Sequence, residues 1–152
     1  RHEEVHRRNV GPEVVFLDAS AIVSIFAHES GHEKLEKRLA ATNGPFFISP
    51  LVKFEASLAL ARQKSTDRRA TPALLRQASN AAEAFVEDIA ADEIAISPEM
   101  GRLATDASAR YGKGVGHLAD LNFGDCFAYA CAKSLDVSRL YKGNDFANTD
   151  LA

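Results

Sequence analysis

Three times in this chain a hydroxyl residue stands directly before a proline: Ser49-Pro50, Thr71-Pro72 and Ser97-Pro98. A serine or threonine oxygen accepts from the backbone N–H groups that open a helix. Proline suits the first helical position because it has no N–H to satisfy. Each pair therefore marks a helix start, and the sequence behind them predicts helices over 50–64, 72–90 and 98–111. Short apolar runs lie between the helical stretches: "EVVFLDAS", "NGPFFIS", "DEIAI" and, more weakly, "VSRLYKG". "AIVSIFAHE" and "HEKLEKRLA" read as two helical segments separated at Ser30-Gly31. The stretch 122–135 reads as an almost wholly apolar helix that follows the glycine-rich loop "YGKGVGHLADLN". Strands that alternate with helices need crossover connections, which give parallel pairing with helices on both faces. The expected fold class is α/β, a three-layer α/β/α sandwich around a central parallel sheet.

At 152 residues and 46% hydrophobic content the chain suits one domain with a proper core, expected over 14–152. The charged stretch "RHEEVHRRNVGPE" (1–13) is expected to be a flexible leader or an expression remnant. No apolar run reaches the roughly 18 residues a membrane helix needs, so a cytoplasmic protein with no membrane contact is expected. Cys126 and Cys131 lie five residues apart in a helical pattern, which turns them to different faces and excludes a disulfide between them. Net charge is −3, so composition does not point to nucleic acid, and any such activity must come from a local site.

Two motifs are set aside. "HEEVH" (2–6) and "HESGH" (28–32) match the H-E-x-x-H zinc pattern, whose chemistry needs both imidazoles on one continuous helical turn. The first lies in the leader, and Ser30-Gly31 breaks the second. "YGKGVG" (111–116) lacks the Lys-Ser/Thr pair of a phosphate loop and follows a helix rather than a strand.

Four carboxylates occupy positions that local structure explains poorly. Asp18 closes the first strand run; it could cap the next helix, but Ser20 could do so equally well. Glu55 shares a helical face with Leu51 and Leu58, a face expected to be buried. Its neighbours Lys53 and Arg62 lack the three- or four-residue spacing of a helical ion pair. Asp125 stands in the apolar run "LNFGDCFAYACA", where Asn122-x-x-Asp125 also resembles a capping box. Asp145 follows the last strand run, in ordinary turn chemistry. A parallel sheet can gather all four at one edge. Two carboxylates about 5 Å apart repel by about 3 kcal/mol at an effective dielectric near 20. Such a cluster calls for a cation, and oxygen donors without His or Cys select Mg²⁺ or Mn²⁺.

The segments "VVFLDASAIVSIF", "FISPLVKFEA", "YGKGVGHLADLNFGDCFAYACAK" and "LYKGNDFANTDL" resemble, in order, the signature segments of PIN-domain ribonucleases. The likeness is greatest to VapC-type toxins of bacterial type II toxin–antitoxin systems. It covers about 14–151 and implies a PIN-like sandwich. The resemblance places the family's acidic quartet on Asp18, Glu55, Asp125 and Asp145, both as catalytic residues and as ligands of Mg²⁺ or Mn²⁺. Ser20 matches the hydroxyl residue that supports the first aspartate, and Asn122 and Asp150 are held as supporting residues around the quartet.

The implied activity is metal-dependent cleavage of RNA phosphodiester bonds, with Glu55 as a candidate proton acceptor. A VapB-type antitoxin and a homodimer are implied as partners. Lys142, Arg139, Lys113 and Arg110 are the cations near enough in sequence to guide RNA. Two other readings are a PIN-fold nuclease outside toxin–antitoxin pairs and a non-catalytic binding module. The presence of all four acids argues against the second.

Overall fold

The computed structural model describes residues 14–136, 139–141 and 146–151; the leader over 1–13 lies outside them. Four short strands, β1 (Val15–Leu17), β2 (Phe46–Ile48), β3 (Asp92–Glu93) and β4 (Arg139–Tyr141), form one parallel sheet in the order β3-β2-β1-β4. β1 is central: Val15 aligns with Phe46 on one side and with Arg139 on the other. Its three residues are fully buried, which is why it reads as an uninterrupted apolar run.

The helices are α1 (Ala19–Phe26), α2 (His32–Ala41), α3 (Pro50–Gln63), α4 (Pro72–Asp88), α5 (Pro98–Tyr111) and α6 (Phe123–Ser134). From β1 to β2 to β3 the chain steps one way across the sheet, and from β3 to β4 it returns. Right-handed crossovers therefore set α1 to α4 on one face and α5 and α6 on the other, giving the expected three layers. α6 carries Ala128, Ala130, Cys131 and Ala132 as buried residues, small side chains that let it lie close against β1. Both cysteines are buried and free, as their spacing implies, and burial pushes the Cys131 thiol up to about 11.

All three hydroxyl–proline pairs cap helices. Ser49 Oγ accepts from Val52 N at 3.3 Å, Thr71 Oγ1 from Leu74 N at 3.1 Å and Ser97 Oγ from Met100 N at 3.2 Å. Between α1 and α2 the chain turns through His28 at φ 51° and Gly31 at φ 89°. "HESGH" is therefore not one helical turn, and its two rings stack face to face at 4.8 Å instead of converging on a point. Among the described residues no helix is long and apolar enough to cross a membrane.

One expectation needs correction. "DEIAI" forms only a two-residue strand, because β3 is an exposed edge with one neighbour and the chain soon turns toward the Ser97 cap. The glycine-rich loop holds a 3₁₀ turn at Lys113–Val115 and is tied to itself by a bridge between Gly112 and Leu121.

The caps differ in burial, and so should their worth. Ser97→Ala is expected to cost about 1 kcal/mol. Ser49→Ala should cost about 2 kcal/mol, since Ser49 is buried and also hydrogen-bonded with Cys131. Equilibrium urea unfolding of the two variants checks the order; a Ser49 variant no less stable than the Ser97 variant contradicts it.

Candidate active site

In a parallel sheet every strand ends at the same edge, and ligands bind outside it where the chain direction reverses. Here the reversal falls between β1 and β4, the strand pair that Asp18 and Asp145 follow in sequence. Asp18 is 4% exposed. It has extended dihedrals and caps α1; its Oδ1 accepts from Ser20 N (3.1 Å), Ser20 Oγ (2.6 Å) and Ala21 N (3.3 Å). The cap is thus Asp18 and not Ser20, which lies inside the first turn and donates its hydroxyl to the aspartate. Asp18 is therefore the cap of α1, and it is also a buried carboxylate at the end of β1.

Glu55 does share a face with Leu51 and Leu58, but all three are half-buried. The buried stripe of α3 is Val52, Ala56, Ser57, Leu60 and Ala61. The Glu55 face instead borders α6, and the carboxylate rests against the Cα of Gly124, so close that any Cβ there would collide with it. Lys53 is not its partner: it pairs with Glu83 at 2.6 Å and with Glu93, and both contacts raise its pKa.

Gly124 immediately precedes Asp125, so packing of α3 on α6 brings two predicted site acids to one helix end. Asp125 is half-buried and forms a complete capping box: Asn122 N donates to its Oδ2 at 3.0 Å, and its own N donates to Asn122 Oδ1 at 2.9 Å.

The C-terminal segment is fastened to α6. Tyr129 OH donates to Asp150 Oδ1 at 2.7 Å, Lys133 Nζ reaches Asp150 Oδ2 at 2.5 Å, and Phe146 is buried. Burial works to raise the pKa of Asp150, but hydrogen bonds from Lys133 and Tyr129 outweigh it and hold the carboxyl below its ordinary value of 3.8. Burial and the Asp150 hydrogen bond push the Tyr129 phenol up.

Arg110 serves this fastening. It donates to Tyr129 OH at 3.3 Å and to Tyr111 OH at 2.8 Å, and lies over the Tyr111 ring at 4.8 Å. Lys113 is exposed in the 3₁₀ turn, and Arg139 belongs to β4. Asp145 and Lys142 lie outside the described residues.

Among the described residues no three His, Cys, Asp or Glu side chains gather closely enough to hold an ion between them. Asp18, Glu55 and Asp125 offer carboxylate oxygens alone, a donor chemistry that suits Mg²⁺ or Mn²⁺ and not zinc. The Glu55–Gly124 contact escaped the sequence reading. Its signal was a glycine in the first turn of an otherwise apolar helix, where it costs about 1 kcal/mol relative to alanine.

The PIN domain family model matches residues 15–151. The chain belongs to the PIN-domain family. It is 47% identical over 139 residues to a VapC ribonuclease of Rhizobium meliloti, covering 90% of this chain and 98% of that one. It is 31% identical to ribonuclease VapC42 of Mycobacterium tuberculosis, covering 90% of this chain and 96% of that one. Among solved structures it is similar to VapC20 of Mycobacterium tuberculosis, a Sarcin-Ricin loop cleaving toxin. The TM-score is 0.64 at 20% identity, over 88% of this chain and 93% of that one, a likeness of fold. The three-layer sandwich described above is thus the PIN fold.

Two predictions follow from this geometry. Gly124→Ala should leave the fold at least as stable, because alanine favours a helix by about 1 kcal/mol. It must displace the Glu55 carboxylate, so any rise in melting temperature caused by Mn²⁺ should shrink; an unchanged Mn²⁺ response contradicts the assigned contact. Asp150 has a lowered pKa in the fold, so it contributes stability above its unfolded value that is lost as pH falls through the folded one. Asp150→Asn should therefore be less stable than the parent at pH 7 and match it in strong acid, as read by denaturant unfolding across pH.

Proposed function

We propose that this PIN-domain protein is a Mg²⁺- or Mn²⁺-dependent endoribonuclease of the VapC toxin type, neutralised by a VapB-type antitoxin and acting as a homodimer. The observation that carries the reading is the Glu55 carboxylate packed on Gly124 beside Asp125 at the start of α6, in a parallel sheet whose central strand ends in buried Asp18. The 47% identity to a VapC ribonuclease over nearly the full length of both chains supports the reaction class.

Asp18, Glu55, Asp125 and Asp145 are the residues that would hold the ion. When bound it would supply charge neutralisation for a phosphodiester oxygen and a more acidic water. The chain's own groups do the rest. Ser20 and two backbone N–H groups fix the Asp18 carboxylate through Oδ1, so its orientation is set before substrate arrives. The capping box does the same for Asp125 through Oδ2. Glu55, on a flexible side chain in a half-buried setting, is the group suited to take a proton from the attacking water. The positive end of the α6 dipole favours a phosphate beside Asp125.

Because Asp18 caps α1 and Asp125 closes the capping box of α6, the test must separate folding from chemistry. Asparagine caps as well as aspartate. Asp18→Asn and Asp125→Asn should stay folded and lose RNA cleavage by a factor on the order of 100 or more. The parent protein should cleave with Mg²⁺ or Mn²⁺ and stop in EDTA. Cleavage at the parent rate by a folded Asp18→Asn would overturn the assignment.

A further inference from the structure

The Gly112–Leu121 bridge folds the loop after α5 back against the start of α6 and leaves a groove of about 570 Å³ between the two helices. That volume is in the range of small-ligand sites, roughly 300–1,000 Å³. Its floor includes Ala104 and Cys126, both buried. Its wall is an aromatic pair: Phe123 and Phe127, one turn apart on α6, have ring centroids 5.3 Å apart. Phe123, the first residue of α6, is 70% exposed. Lys113, Ser108 and Asn122 supply the polar rim. Among the described residues no carboxylate lines the groove, although the whole chain carries a net charge of −3.

We infer that the Phe123–Phe127 groove is a nucleobase subsite, in which a base of single-stranded RNA stacks on Phe123 while its backbone phosphate meets Lys113. This rests on the ribonuclease reading and adds to it the residues that grip the substrate next to the cut. Stacking on aromatic side chains is how single strands are held without sequence readout, because every base has a π-face. A duplex keeps its bases stacked inside and cannot offer one.

The subsite is joined to the candidate acids. Asn122, on the groove rim, is one half of the capping box whose other half is Asp125. Phe123 and Asp125 sit two positions apart on α6, on different sides of the helix end. A strand with a base against Phe123 therefore crosses the α6 N-terminus to reach Asp125, and its phosphate meets the open backbone N–H groups on the way. The absence of acids among the described lining residues and the lysine on the rim favour a polyanion over an acidic protein segment.

The chain contains no tryptophan, so Phe123→Trp places a single fluorescent reporter in the groove. In EDTA, where no cleavage occurs, its emission should be quenched on titration with a short single-stranded RNA and far less with the same sequence as a duplex. Phe123→Ala should weaken RNA binding about 5- to 100-fold, and with Mg²⁺ it should raise KM by a similar factor while kcat changes little. Phe123→Tyr should restore both. Parent-like RNA affinity in a folded Phe123→Ala overturns the subsite, even if the parent cleaves RNA normally. Unaltered RNA affinity combined with loss of a co-purified antitoxin from Phe123→Ala also overturns it, in favour of a protein-docking groove. Quenching by RNA in a protein that never cleaves RNA keeps the subsite and removes the nuclease reading.

Discussion

Parallel pairing on both sides of β1 sets the terms for everything else in this molecule. Hydrogen bonds from β2 and β4 occupy both edges of a strand only three residues long, and its side chains are fully buried. In that arrangement the strands end at one edge, so the residues that follow them are delivered there together. Asp18 follows β1 and Ser49 follows β2. A sheet of antiparallel hairpins would have scattered the same residues to opposite ends.

The residues at that edge carry two duties each. Asp18 satisfies the first amides of α1, and Asp125 satisfies an amide of α6 through its capping box. Capping holds a carboxylate in one orientation through one of its oxygens, at a helix end whose dipole favours negative charge. A local structural explanation and a chemical one are therefore not rivals at these positions. The same contact that stabilises the helix positions the acid. The fastening of Asp150 by Tyr129 and Lys133 lies one and two turns further along the stripe of α6 that carries Asp125, tying the chain after β4 to that helix.

Features with a local cause were legible from the chain. The three hydroxyl–proline caps, the Ser30-Gly31 break and the Asn122–Asp125 box depend on residues within one turn of each other, and each is present. Features set by neighbours distant in sequence were not. Glu55 was expected on a buried face; the structure half-buries it, because α3 turns Val52 and Ala56 to the core and leaves Glu55 facing α6. The contacts of Arg110 with Tyr129 and Tyr111 had no local signal either, since Tyr129 lies 19 residues away on another helix. "DEIAI" had strand composition along its whole length, but an edge position with one partner sustained only two residues of it.

By itself the sequence determined the order of the elements, the bounds of most helices and the α/β class, because capping, hydrophobic periodicity and motif spacing act over a few residues. Only the tertiary structure decided that Glu55 lies on Gly124, that the aromatic pair of α6 walls an open groove, and that Arg110 is held by tyrosines. Those outcomes depend on how helices pack across the sheet, where a contact between residues 55 and 124 leaves no periodic trace in the chain.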